Sequence, residues 1–147
     1  AITTVYLRYA QAVKLPAPLT GFADGTAQWV LHRGALGLPD NEVAVVISVS
    51  DCTEAWKDKD LAEKIHADIK RVCPDLDKPE AVRIITEKRA TTAATVDFVQ
   101  PDFSWLHHRR IYPAGDYLHP RYPATLEAAV QSGFAAAEKL MLDLRFE

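Results

Sequence analysis

Apolar and polar positions alternate near the start of the chain. Val5, Leu7 and Tyr9 occupy every second position of residues 3–9, with more polar residues between them. This alternation is typical of a strand that turns one face to the core. The same reasoning predicts three more strands, at residues 27–33, 43–49 and 81–86.

Two of these patterns also indicate which side chains are buried. Residues 43–49 are almost all apolar and β-branched, which favours a strand that is covered on both faces. Trp29 and Leu31 share a face in residues 27–33. We expect Trp29 and Trp105 to belong to the core, where large aromatic side chains are usually found.

Two segments repeat their apolar residues with the period of a helix. Leu61, Ile65 and Ile69 recur in this way within residues 59–73, and residues 124–144 form a longer segment of the same kind. The apolar stripe of the longer segment consists of Leu126, Val130, Phe134, Ala137, Leu140, Met141 and Leu144. Its first half is rich in Ala and Gly, so another backbone or a flat ligand could approach it closely.

The order of these elements predicts an α+β fold. A mostly antiparallel mixed sheet with one covering helix comes first. A C-terminal strand at residues 111–114 and the long helix follow.

Composition narrows the classes of protein that the chain could represent. It has 147 residues, 48% of them hydrophobic, which suits a compact domain with its own core. The net charge of −3, without a basic stripe, argues against a nucleic-acid partner. No apolar run reaches the roughly 20 residues of a membrane span, and the first residues do not resemble a secretion signal.

The first residue and the cysteines add two further expectations. Because the first residue is Ala1 rather than Met and leads directly into strand-like sequence, we expect the chain to be an excised or processed piece. A trimmed initiator Met would give the same start. The spacing of Cys52 and Cys73 matches no metal site or redox motif. Both are therefore predicted to be reduced structural thiols, and no metal site is expected.

Candidate chemistry is concentrated between residue 114 and the start of the long helix. A helix N-terminus has free N–H groups and a partial positive charge, so it can bind a phosphate or an electron-rich carbonyl. Pro123 suits the first helical position, and Ala124 leaves room for a ligand. Gly115 permits close backbone approach, and the Asp116 carboxylate could accept hydrogen bonds from sugar or ribityl hydroxyls. On spacing alone, a turn-capping role for Asp116 is the commoner alternative.

These residues also carry a family resemblance. Residues 114–116 read AGD and residues 123–133 read PATLEAAVQSG, which resembles the C-terminal signature of the flavin amine oxidase and phytoene desaturase superfamily. More narrowly, the chain resembles the squalene-associated FAD-dependent desaturases, or hydroxysqualene dehydroxylases, of bacterial hopanoid synthesis. The segments that support this narrower resemblance are residues 2–7, 27–34, 45–48 and 87–91.

The resemblance implies an FAD-dependent oxidoreductase, a flavoprotein that acts on an isoprenoid lipid such as a squalene derivative. Residues 1–100 would then form part of the substrate domain, whose sheet covers the substrate cavity. Residues 101–147 would return to an FAD domain and complete it. The implied cofactor-binding residues are Gly115, Asp116, Pro123, Ala124, Thr125 and Leu126. The resemblance identifies no catalytic residue.

One motif of such enzymes is missing from the chain. No GxGxxG occurs among the 147 residues, so we expect an N-terminal FAD-binding portion outside this sequence. The chain alone should bind FAD weakly and be inactive. The resemblance places the protein in the cytoplasm, with peripheral contact to the inner membrane left open. In an isolated fragment, the apolar stripe of the long helix favours self-association or packing back on the sheet.

Two alternative functions remain open. Tyr117 and Tyr122 lie near the signature, and amine oxidases of the same superfamily often place aromatic residues beside the flavin. The chain could therefore be a fragment of a flavin-containing amine oxidase. It could also be a binding module that has lost catalysis.

Overall fold

The computed structural model describes residues 1–48, 50, 58–92, 96–97 and 99–145. The chain forms two compact units, Ala1–Ala90 and Thr91–Glu147. Cys52 and the last residue of the predicted strand at 43–49 lie outside the described residues. Cys73 is a free thiol, as predicted, and its Sγ lies 3.0 Å from the carbonyl oxygen of Lys14.

The first unit is built on a five-stranded antiparallel sheet. Its strands are β1 (Ile2–Arg8), β2 (Leu19–Gly21), β3 (Trp29–His32), β4 (Glu42–Ile47) and β5 (Ala81–Glu87). Their spatial order is β2-β3-β4-β1-β5, and all neighbouring strands are antiparallel. Helix α1 (Asp58–Lys70) connects β4 to β5. The α+β class and the four predicted strands are confirmed, and β2 is an additional short strand.

The core of this unit lies between the sheet and α1. Val5 of β1 pairs with Val45 and Ile84 on its two neighbouring strands. The inward side chains of α1, including Ile65 and Ile69, are fully buried in the same cluster. Fully burying an aliphatic side chain of this size contributes about 1.5–3 kcal/mol, so this contact is the main reason that the helix forms.

The opposite face of the sheet is the outer face, and its exposure corrects one prediction. Trp29 is 48% exposed, whereas its neighbour Val30 is fully buried. Alternation shows that two faces exist, but it does not show which one meets the core. The Trp29 indole lies across Gly21 on β2, where an added Cβ would be 2.9 Å from the ring. Trp105 is also exposed, so neither tryptophan belongs to the core.

A single carboxylate ties the β2–β3 turn to α1. Oδ2 of Asp68 accepts hydrogen bonds from the backbone amides of Thr26 and Ala27, at 2.6 and 2.9 Å. Gly25 lies beside this carboxylate with a φ of +102°. Any side chain at that position would be strained and would collide with Asp68.

Among its described residues, the second unit contains two α-helices, α2 (Ser104–His107) and α3 (Leu126–Arg145). The predicted long helix is confirmed, whereas the predicted strand at residues 111–114 is wrong. A strand needs a hydrogen-bonded neighbour, and none of the described residues provides one for this segment. Within the described part of the chain, no helix is long and apolar enough to span a bilayer.

Candidate functional site

Gly115 and Asp116 begin a tight turn that is held close to the start of α3. Asp116–Leu118 form one turn of 3-10 helix, in which the Leu118 amide donates to the Gly115 carbonyl at 3.2 Å. The Asp116 carbonyl accepts a hydrogen bond from the Ala124 amide at 3.2 Å. The structure therefore brings together the two halves of the predicted site, which are separated by a loop in the sequence.

Ser132 joins the same turn to the side of α3. Its buried Oγ accepts a hydrogen bond from the Gly115 amide and donates one to the Ala129 carbonyl, both at 2.8 Å. Ala128, one turn earlier on the helix, is also fully buried. The small side chains of α3 thus admit another backbone, which was one of the two outcomes expected for them. Sequence reasoning missed Ser132, although its place among these small residues was visible.

The start of α3 differs from the prediction by two residues. Thr125, not Pro123, precedes the helix directly: its Oγ1 accepts a hydrogen bond from the Ala128 amide at 3.1 Å. A threonine that satisfies a free amide in this way is a strong N-cap. Ala124 has a φ of +64°, a left-handed conformation that costs a non-glycine residue about 1–3 kcal/mol. Pro123 therefore lies in the turn before the helix.

Three polar groups at this site have no partner within the described part of the chain. The half-buried Asp116 carboxylate makes no hydrogen bond or ion pair there, so its side chain does not cap the turn. The backbone amides of Leu126 and Glu127 also have no acceptor among the same residues. A hydrogen-bond acceptor and two donors are thus present on the two segments that the backbone hydrogen bond from Ala124 to Asp116 joins.

The loop between Asp116 and α3 is fixed by a histidine that sequence reasoning did not single out. Nδ1 of His119 accepts from the amides of Arg121 and Tyr122, at 3.2 and 3.3 Å. The ring proton must then be on Nε2, which donates to Oε1 of Gln131 on α3 at 3.0 Å. The His119 ring also stacks on Tyr122, with 3.7 Å between centroids.

A groove of about 330 Å³ runs between this loop and α3. His107, Tyr112, Leu118 and Lys139 are among the residues that line it. At its far end the Tyr112 hydroxyl donates to Oδ2 of Asp143 at 2.7 Å, and this bond lowers the pKa of Asp143. Residues 111–114, which were expected to form a strand, are thus attached to α3 by the hydrogen bond between the side chains of Tyr112 and Asp143.

Comparison with known proteins identifies the family. The family model for flavin-containing amine oxidoreductases matches residues 37–141, which include the Gly115–Asp116 turn and most of α3. The chain belongs to the flavin-containing amine oxidoreductase family. The predicted superfamily is confirmed, and so is its cofactor, FAD, at the level of the family.

Two similar proteins lie within the predicted subgroup. The hydroxysqualene dehydroxylase of Zymomonas mobilis is 31% identical over 130 residues, which are 82% of this chain and 28% of that protein. The hydroxysqualene dehydroxylase of Rhodopseudomonas palustris is 31% identical over 145 residues, 96% of this chain and 32% of that protein. The chain therefore spans about a third of the length of these relatives. The narrower resemblance is confirmed, whereas the roles of the individual site residues stay predictions.

Proposed function

We propose that the chain is the substrate-side and flavin-closing part of an FAD-dependent desaturase or dehydroxylase that acts on an isoprenoid lipid. The observation that carries this proposal is the family match across residues 37–141. The similarity of nearly the whole chain to two hydroxysqualene dehydroxylases supports the choice of substrate class.

The residues at the start of α3 fit the flavin that this proposal requires. When bound, the flavin would supply two-electron hydride chemistry, as acceptor in a desaturation or, in its reduced form, as donor in a dehydroxylation; the residues of this chain would help to orient the flavin and tune its electronic properties. The unpartnered Asp116 carboxylate would accept hydrogen bonds from ribityl hydroxyls. The free amides of Leu126 and Glu127 would point their positive ends at an electron-rich carbonyl of the ring. Gly115 and Thr125 would hold this arrangement in place through the backbone and the cap.

The outer face of the sheet fits an isoprenoid substrate. Its β3–β4 part presents Trp29 opposite Val46 and Leu31 opposite Ala44, whereas the charged Arg83 and Glu87 lie on β5 at the edge of the sheet. At one end of this face, the Arg33 guanidinium forms an ion pair with the Glu42 carboxylate, with 2.6 Å between Nη1 and Oε2. Apolar surface of this kind favours a hydrocarbon chain over a charged amine, because burying an unpaired ammonium is costly. This argues against the amine oxidase alternative.

The nucleotide portion of FAD would be held by polypeptide outside this chain. The 147 residues contain no GxGxxG, and the chain corresponds to only 28–32% of each relative. We therefore propose that the chain alone is inactive and binds FAD weakly. The same proposal places the complete enzyme in the cytoplasm, where peripheral contact with the inner membrane would give access to a lipid.

A chimera tests this function directly. The chain would replace the matching residues of the Rhodopseudomonas palustris relative, and the visible absorption of the purified chimera would report bound flavin. We expect the chimera to retain flavin and the chain alone to lose it. In the chimera, Asp116→Ala should weaken FAD binding, Asp116→Asn should weaken it less, and Asp97→Ala, at an exposed site, should not change it.

One result of this experiment would contradict the proposed function. If the chimera has native circular dichroism and retains no flavin, the chain does not complete an FAD site. The binding-module alternative would then be favoured.

A further inference from the structure

Strand β5 forms one edge of the sheet. It pairs with β1 through seven consecutive residues, without a bulge, and no other described strand lies beside it. An open edge presents a row of backbone N–H and C=O groups to any other strand. Natural edges are often protected by proline, by charged side chains or by a bulge. The residues of β5, AVRIITE, include no proline, and their two charges are of opposite sign, so they can pair with the charges of another strand.

The side chains of β5 follow an ordered pattern on the outer face. Arg83, Ile85 and Glu87 occupy successive positions on that face, since they pair with Tyr6, Thr4 and Ile2 of β1. Ile85 is 45% exposed and lies between a positive and a negative residue. Arg83 makes no ion pair with any residue of the described chain.

This pattern is complementary to itself. When two copies of β5 pair antiparallel about a two-fold axis at Ile85, Arg83 of each copy lies opposite Glu87 of the other. Ile85 then lies against Ile85, and Ile84 lies opposite Thr86 on the other face. A register centred on Ile84 would instead place Arg83 opposite Ile85, and the charges would lose their partners. Directly opposite residues of antiparallel strands interact most strongly, so the charges select the first register.

We propose that two copies of this chain associate through β5, in antiparallel register about Ile85, to form one sheet that is continuous across both. The partner is a second copy because the charge pattern matches its own reverse. This surface is distinct from the apolar stripe of α3, through which self-association was expected from the sequence.

A charge-exchange experiment tests the proposal by sedimentation equilibrium. Arg83→Glu alone and Glu87→Arg alone should each weaken dimerisation by about tenfold, because two cross-strand ion pairs become like-charge contacts. The double variant Arg83→Glu/Glu87→Arg should restore the affinity of the parent chain. Lys14→Glu, at an exposed position between β1 and β2, is the matched charge-reversal control and should leave the affinity unchanged.

Three results would overturn the proposal. The parent chain could remain monomeric at all concentrations, or the double variant could dimerise no better than the single variants. The dimer could also be unaffected by all changes in β5 and be abolished by Phe134→Asp in α3. If a variant fails to fold, hydrogen exchange of the parent chain decides: β5 amides should gain protection as protein concentration rises, and unchanged protection contradicts the proposal.

Discussion

The amphipathic helices of the two units differ in how much of their apolar face is buried. In residues 1–90, α1 buries its apolar face, and Ile65 and Ile69 lie fully within a core shared with the sheet. In residues 91–145, α3 leaves most of its apolar stripe in solvent, with Leu126 89% exposed and Phe134 68% exposed. An apolar stripe therefore shows that a helix packs against another surface, but it does not show whether that surface belongs to the same chain.

The difference has a functional interpretation. Contiguous exposed apolar surface marks a site of interaction in a protein that is otherwise polar outside. The stripe on α3 begins at Leu126, which is itself one of the proposed flavin-binding residues and directly follows Thr125. We propose that this stripe contacts the FAD domain of the complete enzyme, whereas residues 1–90 have a core that can hold them folded without it.

The largest effect should come from the helix that has a core. Ile65→Ala should destabilise residues 1–90 by about 2–5 kcal/mol, because it removes buried methyl groups and leaves a cavity. Phe134→Ala on α3 should change stability by less than about 0.5 kcal/mol. Urea unfolding followed by circular dichroism measures both. Similar losses for the two variants would mean that the α3 stripe is buried in solution.

The next effect concerns the contact between the β2–β3 turn and α1. Asp68→Ala should cost about 1.5–3 kcal/mol, because the amides of Thr26 and Ala27 would lose a charged acceptor. Asp24→Ala is the control: it removes only an exposed ion pair with Arg71 and should have almost no effect. The same urea titration compares them, and equal losses would contradict a specific role for Asp68.

A smaller and more local effect is expected at the cap of α3. Thr125→Ala should destabilise the first turn of the helix by about 1 kcal/mol, and Thr125→Ser should preserve it. Hydrogen exchange of the α3 amides would detect the loss without a change in residues 1–90. Thr92→Ala, at an exposed position, is the control and should leave the exchange of α3 unaltered.

The smallest effect is a pH dependence of the first unit. Burial, aided by the charges of Lys70 and Lys78, lowers the pKa of His66, whose Nδ1 lies 3.2 Å from the Tyr9 hydroxyl. The unfolded chain then binds the proton more tightly, so stability should fall as pH drops through about 6.5 and level off below the folded pKa. His66→Gln should flatten this dependence in urea titrations; an unchanged slope would assign it to other groups.

The sequence predicted the elements that are determined by contacts within one unit. The alternation at Val5, Leu7 and Tyr9 and the helical repeat at Ile65 and Ile69 both identify the real core, because the residues that meet there all belong to this chain. The exposure of Trp29 could not be predicted in the same way. Either face of an alternating strand can meet the helix, and only the pairing with Gly21 and the position of α1 decide between them.

At the candidate site the sequence predicted which two segments come together, but not the contacts between them. Gly115, Asp116 and Ala124 are brought together as expected, yet the hydrogen bonds that do so involve the backbone and Ser132. The start of α3 depends on the hydroxyl of Thr125 rather than on the preferred position of Pro123. Residue preferences along the sequence rank the possible starts of a helix, whereas the hydrogen bonds of the whole turn decide which residue caps it.

The central place of β1 has a consequence for synthesis of the protein. The first strand of this sequence lies between β4 and β5, whose residues are translated later. On the ribosome, both edges of β1 are open until β4 emerges, and its second edge stays open until β5 emerges, at residue 87. This order of events creates a time window in which nascent β1, with Val5 and Leu7 exposed, is a natural client for a chaperone.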